Sequence, residues 1–581
     1  MRITLLTISL LMIFSCNISE KKSTENIDFT TIFEKSNGTE TPTYTEVITY
    51  YKNLSEAYPE INIQEIGLTD SGNPLHIITL NPDKEFDFEK IRKTKRILLI
   101  NNGIHPGESD GIDATMLLFR DIAKGTIEAP KNTVITAIPV YNIGGALNRN
   151  TGTRTNQNGP KAYGFRGNAR NYDLNRDFIK NDTKNAQTFA KIFHLVQPDV
   201  FIDNHVSNGA DYQYTLTHLF TQHNKLNGKL GDYLNTEMHP QLEASLTNKN
   251  WDITPYVNVW GTTPDKGWTQ FMDSPRYSTG YTTLWNTLGM MVETHMLKPY
   301  KPRVEGTYEL MKSMIDITEK DGKKIRSLRE QTFIDLPKQK TYSVNWKVDT
   351  TKVTKFNFKG YEGEYIDSEI TGAKRLKYDQ NKPYTREIRY RNYFSPTSQI
   401  TIPASYIIPK GWWNIIEKLD LNKITYKTLE KDSTISVEVY HINDYKSRKT
   451  PYEGHYLHYA TTVNKNVEEI VFKKGDLIIP TNQKGFRYLV ETLEPEAPDS
   501  FFNWNFFDTI LQQKEGFSPY VWEDKALELL KNDRNLEQKF EEKKKDTAFA
   551  KNWYKQLDWI HKQSNNYEKA HMRYPVYRIL K

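Results

Sequence analysis

The 581-residue sequence is first notable for what it lacks, because it contains a single cysteine, Cys16. An intramolecular disulfide is therefore impossible, and a zinc site built on cysteine thiolates is excluded. The charges nearly cancel: 78 basic residues stand against 72 acidic ones, and the net charge is +6. No dense Lys/Arg block accompanies a nucleic-acid-binding motif, so the composition argues against a nucleic-acid partner.

The N-terminal segment MRITLLTISLLMIFSC places an apolar stretch between Arg2 and Cys16, and this stretch is too short to span a membrane comfortably. The segment resembles a bacterial lipoprotein signal, which implies cleavage before Cys16 and attachment of lipid to its thiol. We therefore assign residues 1–16 to a lipoprotein signal peptide and the polar residues 17–40 to a tether. An ordinary secretory signal is the alternative. Either signal predicts export, and the lipidated cysteine further predicts anchoring in the bacterial cell envelope, on the periplasmic or surface side of a membrane.

Strand-like and helix-like segments alternate from about residue 41 onward. The apolar runs KRILLINNG, NTVITAIPVYN and TLGMMVETHM predict buried strands, whereas DGIDATMLLFRDIAKG and residues 224–247 predict helices. This alternation predicts an α/β domain over residues 41–320, in which a mixed, mostly parallel β-sheet is covered by helices on both faces. Short alternating segments rich in Tyr, Val and Thr predict a β-rich accessory domain at 330–485, and helical patterns return at 486–581.

Two potential metal ligands, His105 and Glu108, lie three residues apart just after the predicted strand KRILLINNG. Open α/β sheets bind ligands at the carboxyl ends of their strands, and both side chains are good zinc ligands. Such a pair also arises by chance in surface loops. His205, in PDVFIDNHVSNG, supplies a third ligand directly after another apolar strand. The set of three predicts a site for one zinc ion.

Glu293 lies in the middle of the apolar strand TLGMMVETHM, where a carboxylate is costly unless it is paired or used. If it faces the zinc, it can take a proton from water and return it to a leaving amine. A buried salt bridge is the alternative. His295 follows it by two residues and is the nearest rival ligand. The histidines that lack a partner pattern, and to which no ligand role is given, are His76, His194, His218, His223, His239 and His295.

Several arginines lie in the segment RGNARNYDLNRDF, residues 166–178. A guanidinium group binds a carboxylate through two hydrogen bonds, and it can also polarise a carbonyl group in a transition state. Beside a zinc site, these arginines therefore indicate a substrate with an anionic group. The alternative is a solvent-exposed basic loop.

Taken in order, these motifs resemble those of the zinc metallocarboxypeptidase family typified by carboxypeptidase A. The H-x-x-E pair, the YDLNRDF segment, a single histidine after a strand and a late glutamate all occur in the family's order over roughly residues 41–320. The resemblance implies a carboxypeptidase-like fold in which His105, Glu108 and His205 hold one zinc ion.

The resemblance also implies roles for the other site residues. Asn175 and Arg176 match the pair that holds the terminal carboxylate of the substrate. Arg166 matches the arginine that polarises the scissile carbonyl group. Glu293 matches the general base and acid, and Asp173 matches a carboxylate that orients the first zinc histidine, a role that is also expected on physical grounds.

The sequence departs from the family pattern at Gly107, which stands where carboxypeptidase A has an arginine just before the zinc glutamate. Arg170 is the fallback for Arg166. The segment DSPRYSTGYTTLWNTLGMMVETHMLKPYKPRV looks like a bacterial branch of the family, in which Arg276 is a further candidate for substrate binding. The mobile tyrosine that caps the substrate has three candidates here, Tyr256, Tyr277 and Tyr281.

Together these features predict an exported, lipid-anchored zinc metallocarboxypeptidase whose substrate is a peptide with a free C-terminal carboxylate. Two alternatives stay open. One is a zinc amide hydrolase on the same scaffold that acts on cell-wall peptides or N-acyl amino acids. The other is a surface binding lipoprotein with a silent catalytic domain, which the complete set of ligands and the presence of Glu293 disfavour.

Overall fold

The computed structural model describes residues 28–581. The predicted signal peptide with Cys16, and residues 17–27 of the predicted tether, lie outside the described residues. Within the described part of the chain, no helix combines the length and the apolar character needed to cross a bilayer.

Eight of the first nine strands form one sheet. In chain order these nine strands are β1 (Ile61–Leu68), β2 (Pro74–Leu80), β3 (Arg96–Asn101), β4 (Thr133–Ile138), β5 (Val200–Ser207), β6 (Leu216–Phe220), β7 (Ile253–Pro255), β8 (Trp268–Thr269) and β9 (Leu288–His295). Their order across the sheet is β1-β2-β4-β3-β5-β9-β6-β7, and β8 pairs elsewhere.

The middle of this sheet is parallel. β3 pairs in parallel with β4 and with β5, and β5 pairs in parallel with β9. The pairings β1–β2, β2–β4 and β6–β9 are antiparallel, while β6–β7 is again parallel. Parallel neighbours need crossover connections, which here are helices. The predicted mixed, mostly parallel sheet is therefore confirmed.

Helices cover both faces of the sheet. The helices up to residue 335 are α1 (Ile32–Lys35), α2 (Tyr44–Ala57), α3 (Phe88–Thr94), α4 (Asp110–Ala123), α5 (Ile143–Leu147), α6 (Lys184–Val196), α7 (His223–Leu226), α8 (Gly228–Tyr233), α9 (His239–Thr247), α10 (Ser278–Thr283) and α11 (Tyr300–Asp335). Leu98 and Ile100 of β3 join a core with α2, α4 and α11, whereas Ile97 and Leu99 join a second core with α3, α6 and α10. Successive side chains of a strand point to opposite faces, so a strand between two helical layers is apolar throughout.

Residues 28–40 pack against the α/β domain, although the sequence assigns them to a polar tether. Phe29 and Phe33 are 3% and 5% exposed and belong to the core that contains α2 and α4. Thr31 and Glu34 cap α1 reciprocally. Although this segment is polar overall, it contains two aromatic side chains whose burial stabilises its packing against the domain.

The helix predicted near residues 224–247 is divided into α7, α8 and α9. Asn227 ends α7 with a φ angle of 63°, in the left-handed region that interrupts a helix. The residues Leu234–Met238 then form a π-helical turn between α8 and α9. Such turns insert an extra residue and change the direction in which the following side chains point.

The remainder of the described chain is β-rich and then helical, as predicted. Its strands are β10 (Thr341–Val348), β11 (Thr354–Asp367), β12 (Lys374–Arg391), β13 (Phe394–Thr401), β14 (Ser405–Ile408), β15 (Lys427–Thr428), β16 (Ser433–Ser447), β17 (His458–Phe472), β18 (Leu477–Pro480) and β19 (Tyr577–Ile579). Its helices are α12 (Trp413–Leu421), α13 (Phe486–Leu493), α14 (Pro519–Asn532), α15 (Arg534–Lys543), α16 (Thr547–Ala550) and α17 (Trp553–Lys562). The sheets are β10-β13, β11-β12-β8 and β15-β18-β14-β19-β16-β17, so β8 and β19 join sheets whose other strands lie at 341–480.

Candidate active site

Four of the predicted site residues meet at one edge of the sheet. His105 and Glu108 occupy the turn between β3 and α4, and His205 lies near the end of β5. Glu293 lies in β9, where it is the register partner of His205. The parallel strands β3, β5 and β9 end at the same edge, so residues that are distant in sequence converge there.

His105, Glu108 and His205 form a compact group of potential metal ligands. Nδ1 of His105 lies 3.2 Å from Oε1 of Glu108, and Nδ1 of His205 lies 3.1 Å from Oε2 of the same carboxylate. The ligand atoms of the three residues lie within 4.8 Å of one another, and all three residues are buried. Two imidazole nitrogens and a carboxylate are a zinc donor set that leaves a fourth position for water or substrate. The donor chemistry thus fits the zinc ion that the sequence predicts.

The outer nitrogen of each histidine ring binds an aspartate. Nε2 of His105 lies 2.9 Å from Oδ1 of Asp173, and Nε2 of His205 lies 2.8 Å from Oδ2 of Asp203. Carboxylates in this position fix the orientation of a ligand ring and raise its basicity. Burial lowers the pKa of His205, but the charge of Asp203 outweighs burial and raises that pKa well above its usual value. The orienting role that the sequence assigns to Asp173 fits this geometry, whereas Asp203 was missed.

Asp203 is itself fixed by its surroundings. It is fully buried, accepts a hydrogen bond from the side-chain amide of Asn101 at 3.1 Å, and also accepts one from the hydroxyl of Ser278. The segment FIDNH places Asp203 two residues before His205, on the same face of β5, because side chains alternate along a strand. That alternation is a signal from which Asp203 could have been identified.

The Glu108 carboxylate is held by groups from three segments of the chain. Nη1 of Arg154 donates to Oε1 at 2.7 Å, and the backbone N–H of Val206 donates to Oε2 at 3.0 Å. Burial favours the neutral acid, yet His105 and Arg154 hold the pKa of Glu108 well below its usual value. A Cβ atom at Gly107 would lie 2.5 Å from Cδ of Arg154. Glycine at this position therefore leaves the space that Arg154 fills.

Arg166 is anchored beside the three potential metal ligands. Its Nε and Nη2 atoms donate to Oδ2 of Asp173 at 3.1 and 2.8 Å. The remaining nitrogen, Nη1, lies 3.4 Å from Nδ1 of His105 and 3.6 Å from Oε1 of Glu108. The pairing with Asp173 fixes the guanidinium plane and leaves Nη1 where an oxygen atom of a bound substrate can contact it.

Asn175 and Arg176 line the same cleft as the three potential metal ligands. Oδ1 of Asn175 accepts the backbone N–H of Ser278 at 3.0 Å, which orients the side-chain amide. The guanidinium of Arg176 stacks on the ring of Tyr277, 4.5 Å from its centroid, and donates to the Asn175 carbonyl at 2.7 Å. Its nearest carboxylate, Asp173, is 3.8 Å away. Arg176 is thus positioned mainly by stacking and keeps the capacity to bind an anionic group.

Among residues 28–581, Glu293 forms no ion pair within 4 Å, so the buried salt bridge that was the alternative is not found there. Burial, opposed by the charge of His205 and assisted by that of Glu108, raises the pKa of Glu293 to about 7. A carboxyl group that titrates near neutral pH can both accept and donate a proton.

One cleft of about 390 Å³ is lined by the three potential metal ligands and by Glu293, Arg166, Asn175 and Arg176, whereas Arg154, Asp173 and Asp203 are not part of its lining. Its lining residues are His105, Glu108, Arg166, Asn175, Arg176, His205, Val206, Asn208, Leu219, Tyr256, Asn258, Trp260, Phe271, Tyr277, Met291 and Glu293.

The three tyrosine candidates separate by position. Tyr256 and Tyr277 line the cleft, whereas Tyr281 is fully buried in the core and donates to the side chain of Asn422 at 2.7 Å. A tyrosine held in this way cannot reach a substrate. Tyr281 is therefore removed as a candidate cap.

Two of the predicted arginines lie outside the cleft lining. The guanidinium of Arg170 stacks on Tyr172, 5.1 Å from the ring centroid. Arg276 pairs with the buried carboxylate of Asp499 through Nε at 2.7 Å. Arg154, which the sequence did not single out, contacts Glu108 directly; its loop segment TGTRTNQ carries no periodicity or apolar flank that would have drawn attention to it.

Solved structures of metallocarboxypeptidases are similar to this chain over about half its length. A metallo-carboxypeptidase from Burkholderia cenocepacia is 14% identical, with 48% of this chain and 68% of that chain covered and a TM-score of 0.33. The carboxypeptidase A from Helicoverpa armigera is 13% identical, with 52% of this chain and 78% of that chain covered and a TM-score of 0.36. A metallo-carboxypeptidase from Pseudomonas aeruginosa, solved in complex with (2-guanidinoethylmercapto)succinic acid, is 11% identical. The similarity covers 49% of this chain and 69% of that chain, with a TM-score of 0.36.

No protein-family model and no curated protein matches the sequence. The similar structures carry the family name that the order of the motifs suggests.

The Asp203→Asn substitution keeps the size of the side chain but removes the charge that orients His205. Partners of this kind typically contribute a factor of about 10–100 to metal affinity, so we expect zinc to bind the His105–Glu108–His205 site about 10–100-fold more weakly. Competition with a chromophoric chelator measures the dissociation constant. Asp211→Asn is the control, because Asp211 is a buried aspartate that pairs with His295 outside the ligand group. An unchanged dissociation constant in Asp203→Asn would contradict the assignment.

Proposed function

We propose that this protein is a zinc-dependent metallocarboxypeptidase that hydrolyses the C-terminal peptide bond of its substrate. The observation that carries this proposal is the meeting, in one cleft, of three metal ligands, a glutamate without an ion-pair partner and two groups suited to a carboxylate. These groups are His105, Glu108 and His205, then Glu293, then Asn175 and Arg176.

The metal would be held by Nδ1 of His105, the carboxylate of Glu108 and Nδ1 of His205. When bound, a zinc ion supplies Lewis acidity, which polarises a carbonyl group and lowers the pKa of water. Asp173 and Asp203 keep the two imidazole rings oriented for this task. His105, Glu108, His205 and Asp203 are buried, which strengthens electrostatic interactions at the site.

Glu293 is the proposed general base and general acid. Its raised pKa of about 7 suits a group that accepts a proton from the attacking water and then delivers it to the leaving amine. Nη1 of Arg166 is placed to donate to the carbonyl oxygen, on which negative charge develops during attack.

Arg176 and Asn175 are the proposed clamp for the C-terminal carboxylate of the substrate. The planar guanidinium of Arg176, held on Tyr277, can bind one edge of a carboxylate through two hydrogen bonds. The amide of Asn175 is oriented by Ser278, so its NH2 group remains for a further hydrogen bond. A peptide without a free C-terminal carboxylate would lose these contacts.

We expect Glu293→Gln to lower kcat by about 10²–10⁴-fold, the usual contribution of a general acid–base group, while zinc binding is retained.

In the wild-type protein, kcat/KM should fall as the pH is lowered through the pKa of Glu293, because only the anion accepts a proton. This acid limb should lie at or below about 7, since a nearby cation favours the charged carboxylate.

The acid limb and the zinc content are measured on the same preparations, by pH–rate profiles and metal analysis. Glu305→Gln, at an exposed position on α11, is the matched control and should retain activity. Near-normal turnover in Glu293→Gln would remove this residue from the mechanism.

We expect Arg176→Met to lower kcat/KM by roughly 100-fold on peptides with a free C-terminus, because charged hydrogen bonds contribute roughly 1.5–3 kcal/mol each. Peptides with an amidated C-terminus should be poor substrates for the wild-type protein and should respond little to the substitution. Arg170→Met is the matched control from the same loop. Product analysis by mass spectrometry measures both series, and equal cleavage of free and amidated peptides by the wild type would rule out the carboxypeptidase assignment.

We also propose that the protein is exported and anchored to a membrane of the cell envelope through lipid on Cys16. The support is the N-terminal segment ending in that cysteine, the only one in the chain. Cys16→Ser removes the thiol that would carry the lipid. We expect this variant to move from the membrane fraction to the soluble fraction after expression in a bacterium that processes lipoproteins, because the acyl chains supply the anchoring. Unchanged membrane association would exclude the lipid anchor.

A further inference from the structure

A second group of potential metal ligands lies away from the cleft. It consists of His218 on β6 and of His239 and Glu243 on α9, which are one helical turn apart and therefore on the same helix face. No ligand role was predicted for His218 and His239, because they lack the partner pattern of His105 and Glu108. The π-helical turn before α9 and the pairing of β6 within the sheet bring them together.

Three atoms of this group point at one another. Nε2 of His218 and Nε2 of His239 lie 3.0 Å apart, and Oε1 of Glu243 lies 3.0 Å from the His239 nitrogen and 3.6 Å from the His218 nitrogen. The ligand atoms of a tetrahedral zinc ion with bonds of about 2.0–2.1 Å lie about 3.3 Å apart. The circle through the three atoms has a radius of about 1.9 Å, so an ion placed just outside their plane reaches all three at normal bond lengths.

Hydrogen bonding alone accounts poorly for this arrangement. The Nε2 atom of a neutral imidazole is either a donor or an acceptor, and an ionised carboxylate only accepts. If His239 donates, its single N–H proton has to be shared between His218 and Glu243, and if His218 donates, the contact between His239 and Glu243 joins two acceptors. A cation at the centre satisfies all three lone pairs at once.

The group lies on the opposite face of the sheet from the cleft. Leu219 of β6 lines the cleft, and His218, its neighbour along the strand, points to the other face. There His218 and His239 line a separate cavity of about 30 Å³, enough for an ion or a water molecule. His223 lines the same cavity, and its buried Nε2 atom has no hydrogen-bond partner among the described residues. The imidazole of His223 lies outside the three-residue ligand group and is a further nitrogen base that lines the cavity.

Solvent can reach this group from one side. His218 is 3% exposed, whereas the side chains of His239 and Glu243 are 22% and 41% exposed. A metal ion can therefore reach the ligands from solvent, while the ligand nitrogen of His218 is shielded from water.

We propose that His218, His239 and Glu243 bind a second divalent transition-metal ion, with zinc as the best match to two imidazoles and one carboxylate. Such an ion cross-links α9 to β6. β6 is the antiparallel neighbour of β9, and the Thr217 hydroxyl donates to the backbone carbonyl of Glu293 at 2.7 Å. The second ion is therefore structural, and it braces the strand next to the one that carries Glu293.

Metal analysis of the full-length protein tests this proposal without reference to catalysis. After saturation with zinc and removal of excess ion, the wild-type chain should hold two equivalents. His205→Ala, which removes a ligand from the cleft site, should hold one. Adding His239→Gln and Glu243→Gln to His205→Ala should leave none, while adding Glu237→Gln, a carboxylate on the preceding turn that pairs with Lys324, should leave one.

Two outcomes would overturn the proposal: His205→Ala without stoichiometric zinc, or one equivalent still bound after His239→Gln and Glu243→Gln are added.

Far-ultraviolet circular dichroism identifies variants that have not folded. For these, Glu243→Gln alone, at a partly exposed position, serves instead and should lower the wild-type content from two equivalents to one or weaken one of the two affinities at least tenfold. Two unchanged affinities in that variant count against the site. None of these results depends on peptidase activity, so failure of the proposed function would show separately, as absence of peptide cleavage.

Discussion

The buried carboxylate of Glu108 is the constraint on which the cleft depends. A carboxylate removed from water is costly unless cations and hydrogen-bond donors surround it. Here the donors arrive from distant parts of the chain: His105 from its own turn, Arg154 from a long loop, and the end of β5 through His205 and the N–H of Val206. Satisfying one charge therefore fixes the mutual position of three segments. The same convergence creates the donor set for a metal, so the requirement for stability and the requirement for metal binding coincide.

The central sheet and the grouping of His105, Glu108 and His205 were predictable because their signals are local. KRILLINNG and TLGMMVETHM are apolar throughout, as strands buried on both faces must be, and each ligand directly follows or lies within such a strand. Asp203 was predictable in principle from strand alternation. Arg154 was not, because its position depends on how a loop folds over Gly107. Residues 28–40 were misjudged for a related reason: composition averages over a segment, whereas packing depends on two aromatic side chains within it.

The regions beyond the α/β domain contact the segment that precedes Asn175 and Arg176. The loop between β16 and β17 brings Glu453 close to Asp173. The backbone N–H of Asp173 donates to the carboxylate of Glu453 at 2.8 Å. Gly454 follows with a φ angle of 80°, and a Cβ atom there would lie 2.6 Å from the hydroxyl of Tyr172. Only a residue without a side chain permits this close approach in the left-handed region. The accessory regions are thus part of the support for the YDLNR segment, in addition to packing their own cores.

The reach of Glu453 to Asp173 has a consequence for how the protein is made. A chain is synthesised from its N-terminus, so both histidines, Glu108 and Glu293 leave the ribosome before the loop that holds Asp173 exists. Asp499, the partner of Arg276, follows later still. A growing chain therefore contains the candidate metal ligands before Glu453 can accept the backbone N–H of Asp173. The contacts made by Glu453 and Asp499 can therefore form only after the whole α/β domain has been synthesised.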